Sequence, residues 1–226
     1  VITTEKPPAY LEYVLGLTAF AAGAVDVISF VRLGGIFASA MTGNLAFLGI
    51  YLARLSFYSA IGSAIGLVGF IVGSGVGHVL TRGQPRPAAL NTLLGIEFLL
   101  LAAVVLVWFP VGHKNGSLAA DVLISLLAVS MGLQSIVGKK INLSNIPTVV
   151  FTSTLTNLVI GLTDALAAET FTLPVDTRRQ ATSFFLYFFG ALVAGIFAYL
   201  KIPVLVMLPA GAIFLCLAAK VLQSEE

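Results

Sequence analysis

Gly35-Ile-Phe-Ala-Ser-Ala-Met-Thr-Gly-Asn-Leu45 decides how this chain is read. It follows directly on an apolar run, Leu11 to Val31, that carries one acid, Asp26. At about 21 residues and about 1.5 Å per residue, that run matches a hydrocarbon core of about 30 Å. The stretch after it is small, polar and poorly helical in its middle, inside a chain otherwise suited to lipid. Thr42 or Asn44 is predicted to cap a helix from about Leu45 to Leu52, only about half a membrane long. Irregular backbone at that depth is tolerated where protein surrounds it, so a broken or re-entrant element is expected. A worn copy, Thr148-Val-Val-Phe-Thr-Ser-Thr-Leu-Thr-Asn157, recurs about 110 positions later, behind an apolar run that carries Gln134.

Composition points the same way. Of 226 residues, 58% are hydrophobic and 10% charged, with a mean hydropathy of +1.04. A soluble domain carries roughly 25% charged residues, so the class is all-α and polytopic in a membrane. The net charge of +2 gives no case for nucleic acid. The lone Cys216 excludes an intramolecular disulfide and any Cys-rich metal site. No His/Cys/carboxylate cluster has zinc-ligand spacing, and neither G-x-S-x-G nor a phosphate-cradling glycine loop is present. No metal, no cofactor and no enzymatic activity are therefore expected. The first apolar run is long enough to span and contains an acid, and is expected to be a retained helix rather than a cleaved signal.

Working outward, spans are predicted at residues 11–31, 59–80, 88–109, 118–137, 180–200 and 203–222. Together with the two signature elements they form a single transmembrane domain over 1–226. Small residues Gly16, Ala19 and Gly23 share a face with Asp26, and Gly62, Gly66, Gly69, Gly73 and Gly77 form a ridge suited to close helix crossing. Gly190, Ala194 and Ala198 recur 121 positions after Gly69, Gly73 and Gly77. Gly95-Ile-Glu-Phe-Leu-Leu-Leu-Ala-Ala103 and Gly211-Ala-Ile-Phe-Leu-Cys-Leu-Ala-Ala219 agree at six of nine positions. Four elements in one order indicate a duplication, with repeats at 10–109 and 118–222.

If the signature elements re-enter, six helices cross. One side then carries Lys6, Arg82, Arg86, Lys139, Lys140, Arg178, Arg179 and Lys220, and the other Arg32, Arg54, Lys114 and Lys201. Eight against four obeys the positive-inside rule and favours inverted repeats with both termini cytoplasmic. If all eight segments cross, the count is even and the repeats are parallel.

Ala22-Gly-Ala-Val-Asp-Val-Ile-Ser-Phe-Val-Arg-Leu-Gly-Gly-Ile-Phe-Ala-Ser-Ala-Met-Thr-Gly-Asn-Leu45 resembles the signature of the YoaK-like bacterial membrane proteins. Gly132-Leu-Gln134 and the Thr/Ser-rich run at 148–157 resemble that family's second motif, with Ser153 where glycine is expected. The resemblance implies about six helices in a bacterial inner membrane, a fold like half of a major-facilitator transporter, and no assigned substrate.

An acid inside a span costs at least about 2.5–3.5 kcal/mol, so Asp26 is expected to face a cavity or a partner. It is either a proton- or substrate-binding carboxylate or a structural acceptor for the broken element, through Thr42 or Asn44. The candidate binding site joins Asp26, Phe37, Met41, Thr42, Gly43 and Asn44 to Gln134, Thr152, Ser153, Thr154 and Asn157. Half-helix N-termini meeting at the midplane would aim N–H groups at a solute. Gln134 is read as the neutral mate of Asp26, and Glu97, without an acidic mate, as a second proton-coupling candidate. Asp121, Asp164 and His78 lie near span ends and are expected to be solvated or interfacial. The expected function is transport or facilitated passage of a small polar or weakly acidic solute, with proton coupling as a candidate feature. The alternatives are a non-transporting binding or assembly protein and, last, an intramembrane enzyme. Expected partners are the lipid bilayer, the solute and a second copy in a homodimer.

Overall fold

The computed structural model describes residues 9–109, 117–141, 151–167 and 173–223, and no strand occurs among the described residues. The helices are α1 (Ala9–Arg32), α2 (Met41–Ala53), α3 (Phe57–Leu80), α4 (Arg86–Trp108), α5 (Leu118–Ile141), α6 (Phe151–Ala167), α7 (Val175–Tyr199) and α8 (Met207–Gln223). A short 3-10 turn, Pro203–Val206, leads into α8. Five of them, α1, α3, α4, α5 and α7, are long and apolar enough to cross a membrane. The sixth expected span is divided between the 3-10 turn and α8, because Pro203 opens the segment and cannot continue a helix from α7. Large apolar side chains such as Ile71, Leu106, Phe185 and Phe188 are exposed, as the outer surface of a bundle in lipid must be. The chain is a polytopic helical membrane protein.

The helices pack as two halves. In one, α1 lies against α7 and α8, and α6 lies against α7. In the other, α5 lies against α3 and α4, and α2 lies against α3. The halves meet chiefly through α1 with α5 and α4 with α8. The first helix of each expected repeat thus sits in the half built from the other.

Glycines hold each half together by letting backbones touch. A side chain at Gly23 would strike the Tyr187 carbonyl, and one at Gly190 the Phe20 carbonyl. Likewise Gly132 lies under the Phe70 carbonyl and Gly73 under the Val129 carbonyl. Lipid supplies no hydrophobic force between helices, so dispersion at such crossings has to supply it. These contacts, with Glu12 beside Arg179 and Arg32 beside Ala198, run α1 and α7 in the same direction. Gly69 beside Ala128, and Lys140 beside Thr81, do the same for α3 and α5.

The equivalence is therefore Gly23 with Gly132 and Gly73 with Gly190. The expected pairing of Gly69 with Gly190 is one helical turn out. Small residues four apart look alike in sequence, and only the crossing point shows which one the backbone contact requires.

Each pair also ends in the same way. Arg32 Nη2 donates to the Ala198 carbonyl at 3.0 Å, and Lys140 Nζ to the Thr81 carbonyl at 2.9 Å. A cation from the central helix thus adds a charged donor to a carbonyl at its partner's C-terminal end.

Candidate functional site

The break after α1 comes earlier than its composition suggests. Gly34 and Gly35 adopt φ of 96° and 77°, turning the chain at the end of α1. Residues 33–40 are irregular, and α2 starts at Met41 rather than near Leu45. Its N-cap is Ala40, which has no side chain to bond, so neither Thr42 nor Asn44 caps it. Asn44 instead reaches back over the break: its Oδ1 accepts from Phe37 N–H at 2.9 Å, and its Nδ2 donates to the Phe37 carbonyl at 2.6 Å. Asn44 is fully buried, and its amide lies 2.9 Å from where a Gly66 side chain would begin.

Asp26 organises the break from below. Its Oδ1 accepts from Ser39 N–H at 2.7 Å, while its Oδ2 accepts from Ser39 Oγ at 2.5 Å and from the Tyr187 hydroxyl of α7 at 2.8 Å. Ser39 therefore lies level with Asp26, six residues before α1 ends, or about 9 Å inside the bundle. Leu33, Gly34, Tyr58, Ser59, Asp121 and Ile124 line one cavity of about 200 Å³, so α1 ends where α3 and α5 begin. The chain dips in through residues 33–40 and α2 carries it back to the same end, where Leu55, at φ 55°, turns it into α3. The first element is broken and turns back to the end it entered from, as expected, with its helix starting about four residues upstream of the predicted one.

Other predicted site residues disperse. Phe37 stacks on Phe30 with ring centroids 4.7 Å apart, and Phe47 and Tyr51 extend the row. Gly43 faces the Phe37 ring, and Met41 Sδ lies 3.9 Å from the Asn44 amide. Thr42 points outward and is exposed. In the second signature, 148–150 and the Thr152 side chain lie outside the described residues. Ser153 and Asn157 are exposed and Thr154 is buried, all within the first two turns of a continuous α6.

The two signatures do not come together: α2 packs on α3 and α6 on α7, in opposite halves, with no extended α2–α6 interface among the described residues. The expected midplane meeting of two half-helix ends is thus not what this packing makes. The cause is the exchange of α1 and α5 between halves, which sends each short helix outward on its neighbour.

Gln134 is not the positional mate of Asp26. Counted from Gly23 and Gly132, the residue opposite Asp26 is Ser135, which bonds the Gly132 carbonyl and the Ser74 hydroxyl. Gln134 turns to the other half instead, its Nε2 donating to the Thr18 carbonyl of α1 at 2.8 Å. Glu97, midway along α4, is fully buried, and neither carboxyl oxygen has a hydrogen-bond partner. It lies near Cys216 of α8, which places it where the halves meet.

Sequence reasoning missed Ser39 and Tyr187 as site residues. Ser39 was in plain view within the signature. Tyr187 is a lone hydroxyl in the Phe-rich run Phe184-Phe-Leu-Tyr-Phe-Phe189, a signal that something polar waits opposite.

The family model described as "Protein of unknown function (DUF1275)" matches residues 14–219, nearly the whole helical bundle. The chain belongs to the DUF1275 family. It is 28% identical over 193 residues to the UPF0700 transmembrane protein YoaK of Bacillus subtilis (strain 168), covering 83% of this chain and 84% of that protein. No solved structure matches the chain. The resemblance drawn from the signature is therefore correct, and for this DUF1275 protein it brings a membrane location without an activity.

Proposed function

We propose that this DUF1275 protein transports a small polar or weakly acidic solute, with Glu97 as the proton-exchanging group. The observation that carries the reading is Glu97 itself, an acid at the α4–α8 contact with both oxygens unbonded. Leaving a buried polar group unsatisfied costs about 1–3 kcal/mol, and acids within spans mark ion and solute pathways. Such a group is retained where another conformation gives it a partner. Here that partner is water or solute, admitted when α4 and α8 part.

The packing supports a mechanism of this type. Backbone-to-backbone contacts make each half rigid, while the contact between halves is narrower and carries the Gln134–Thr18 bond. Rocking about the α1–α5 contact would expose Glu97 to one end of the bundle and then the other. The Asp26–Ser39–Tyr187 cluster would tie the break preceding α2 to the opposite half and so report its position.

The reading includes inverted repeats, supported by α1 ending where α5 begins. It also places in the bacterial cytoplasm the bundle end carrying Arg82, Arg86, Lys139, Lys140, Arg178 and Arg179. The test is proteoliposome uptake under an imposed pH gradient across a panel of neutral metabolites and monocarboxylates. Uptake with counter-moving protons, lost in Glu97→Gln, is the expected result. Gradient-driven uptake undiminished in Glu97→Gln, or no flux of any solute by the folded wild-type protein, would overturn it.

A further inference from the structure

A groove runs along the outer side of α1, between α7 and α8. Its volume is about 1040 Å³, and its walls include Leu17 and Phe20 of α1, Leu186 and Phe189 of α7, and Leu208 and Gly211 of α8. On α7 it extends from Thr182 to Phe197, or about 22 Å of helix. Its walls are apolar along that length except at one end, which suits a hydrocarbon chain laid along the bundle.

One end of the groove is polar. There it shares Glu12, Gly16 and Thr182 with a smaller cavity of about 160 Å³, which Val175, Arg178 and Ser183 also line. The Ser183 side chain is 1% exposed, and its Oγ has no hydrogen-bond partner. Glu12 and Asp176 both engage Arg179, at 2.7 and 3.6 Å, so its charge is already answered. Arg178 is exposed and has no carboxylate partner among the described residues. The cavity opens beside the first turn of α7, whose N-cap is Pro174. A buried unsatisfied donor and a spare guanidinium converge on one small space.

We infer that this site holds an anionic phospholipid. One acyl chain lies in the groove between α7 and α8, and the phosphate occupies the smaller cavity, accepting from the Ser183 hydroxyl and Arg178. The site lies at the end of the bundle richest in Lys and Arg, where the leaflet facing it is already drawn toward anionic headgroups. The lipid is independent of the transport reading, because neither Glu97 nor any residue of α4 or α5 lines the groove.

The experiment uses the full chain reconstituted in nanodiscs of equal parts phosphatidylglycerol and phosphatidylcholine, then extracted in mild detergent. Native mass spectrometry counts and identifies the lipids that stay bound. The wild-type protein is expected to retain phosphatidylglycerol in preference to phosphatidylcholine. Arg178→Gln should keep a lipid but lose about fivefold of that preference, one guanidinium near the surface being the difference. Gly211→Phe projects into the groove from a position where an added Cβ meets nothing within 4 Å, so it should fold and lose the lipid whatever its headgroup. Gly211→Leu serves as a smaller version, and thermal melting checks both. Equal retention of the two lipids by the wild-type protein would overturn the inference, as would undiminished retention by folded Gly211→Phe. So would a wild-type dimer, free of bound lipid, that Gly211→Phe converts to monomer.

Discussion

At the scale of single residues, the two buried acids behave oppositely. Asp26 has a partner for each oxygen, three bonds in all from Ser39 and Tyr187. Asp26→Leu would leave those donors unsatisfied in an apolar interior, and is expected to destabilise by about 3 kcal/mol or more, against about 1 kcal/mol for Tyr187→Phe. Thermal unfolding in detergent gives the order, and a cycle of Asp26→Asn with Tyr187→Phe should show coupling of about 0.6–1.7 kcal/mol rather than additivity. Glu97 has neither oxygen bonded, so Glu97→Leu removes an unsatisfied group and fills its space with methyls. It should stabilise the protein by about 1–3 kcal/mol while abolishing proton-coupled uptake. A melting point that falls in Glu97→Leu would mean the carboxyl has a structural partner in the native protein.

At the scale of helices, glycines divide into those that a neighbour's backbone touches and those that face open space. Gly23, Gly73, Gly132 and Gly190 are of the first kind; Gly75, Gly95 and Gly195 meet nothing within 4 Å. Leucine at Gly73 or Gly190 forces two helices apart along their whole crossing, and should cost more than the usual overpacking penalty of about 1–3 kcal/mol. Leucine at Gly75 or Gly95 should leave yield and monodispersity in detergent unchanged, measured by size-exclusion chromatography. Helix α2 belongs to this scale too. Asn44→Ala removes both bonds to Phe37 and should loosen residues 33–40, read as faster amide hydrogen exchange there but not in α3.

At the scale of the whole molecule, the direction of each helix decides the topology. Residues 34, 54 and 201 fall at one end of the bundle and 82, 140 and 178 at the other. Single cysteines at those positions, in a Cys216→Ala background, should react with a membrane-impermeant thiol reagent as two groups from opposite sides. An arrangement with eight crossings would instead place 34, 82, 140 and 201 together. The rocking motion proposed for transport needs the first pattern, since it depends on α1 and α5 running in opposite directions.

Much of this was legible in the residues. Hydrophobic runs as long as a bilayer is thick can do little else than span it, so the places of the five long helices follow from length and composition alone. Gly34-Gly35 and the polar middle of the signature announced a break, and an acid inside an apolar run announced a partner. Which atom bonds which was not legible. Asp26 is held by a serine thirteen positions on and a tyrosine from the far end of the chain, and no local pattern encodes that choice. The glycine register was ambiguous by one turn, since small residues four apart share a face and only the crossing selects among them. Above all, the exchange of α1 and α5 between halves was decided by packing. It sends the two signatures to opposite sides and brings Glu97 to the place where the halves meet, because helix pairing depends on surfaces that form only when both partners are present.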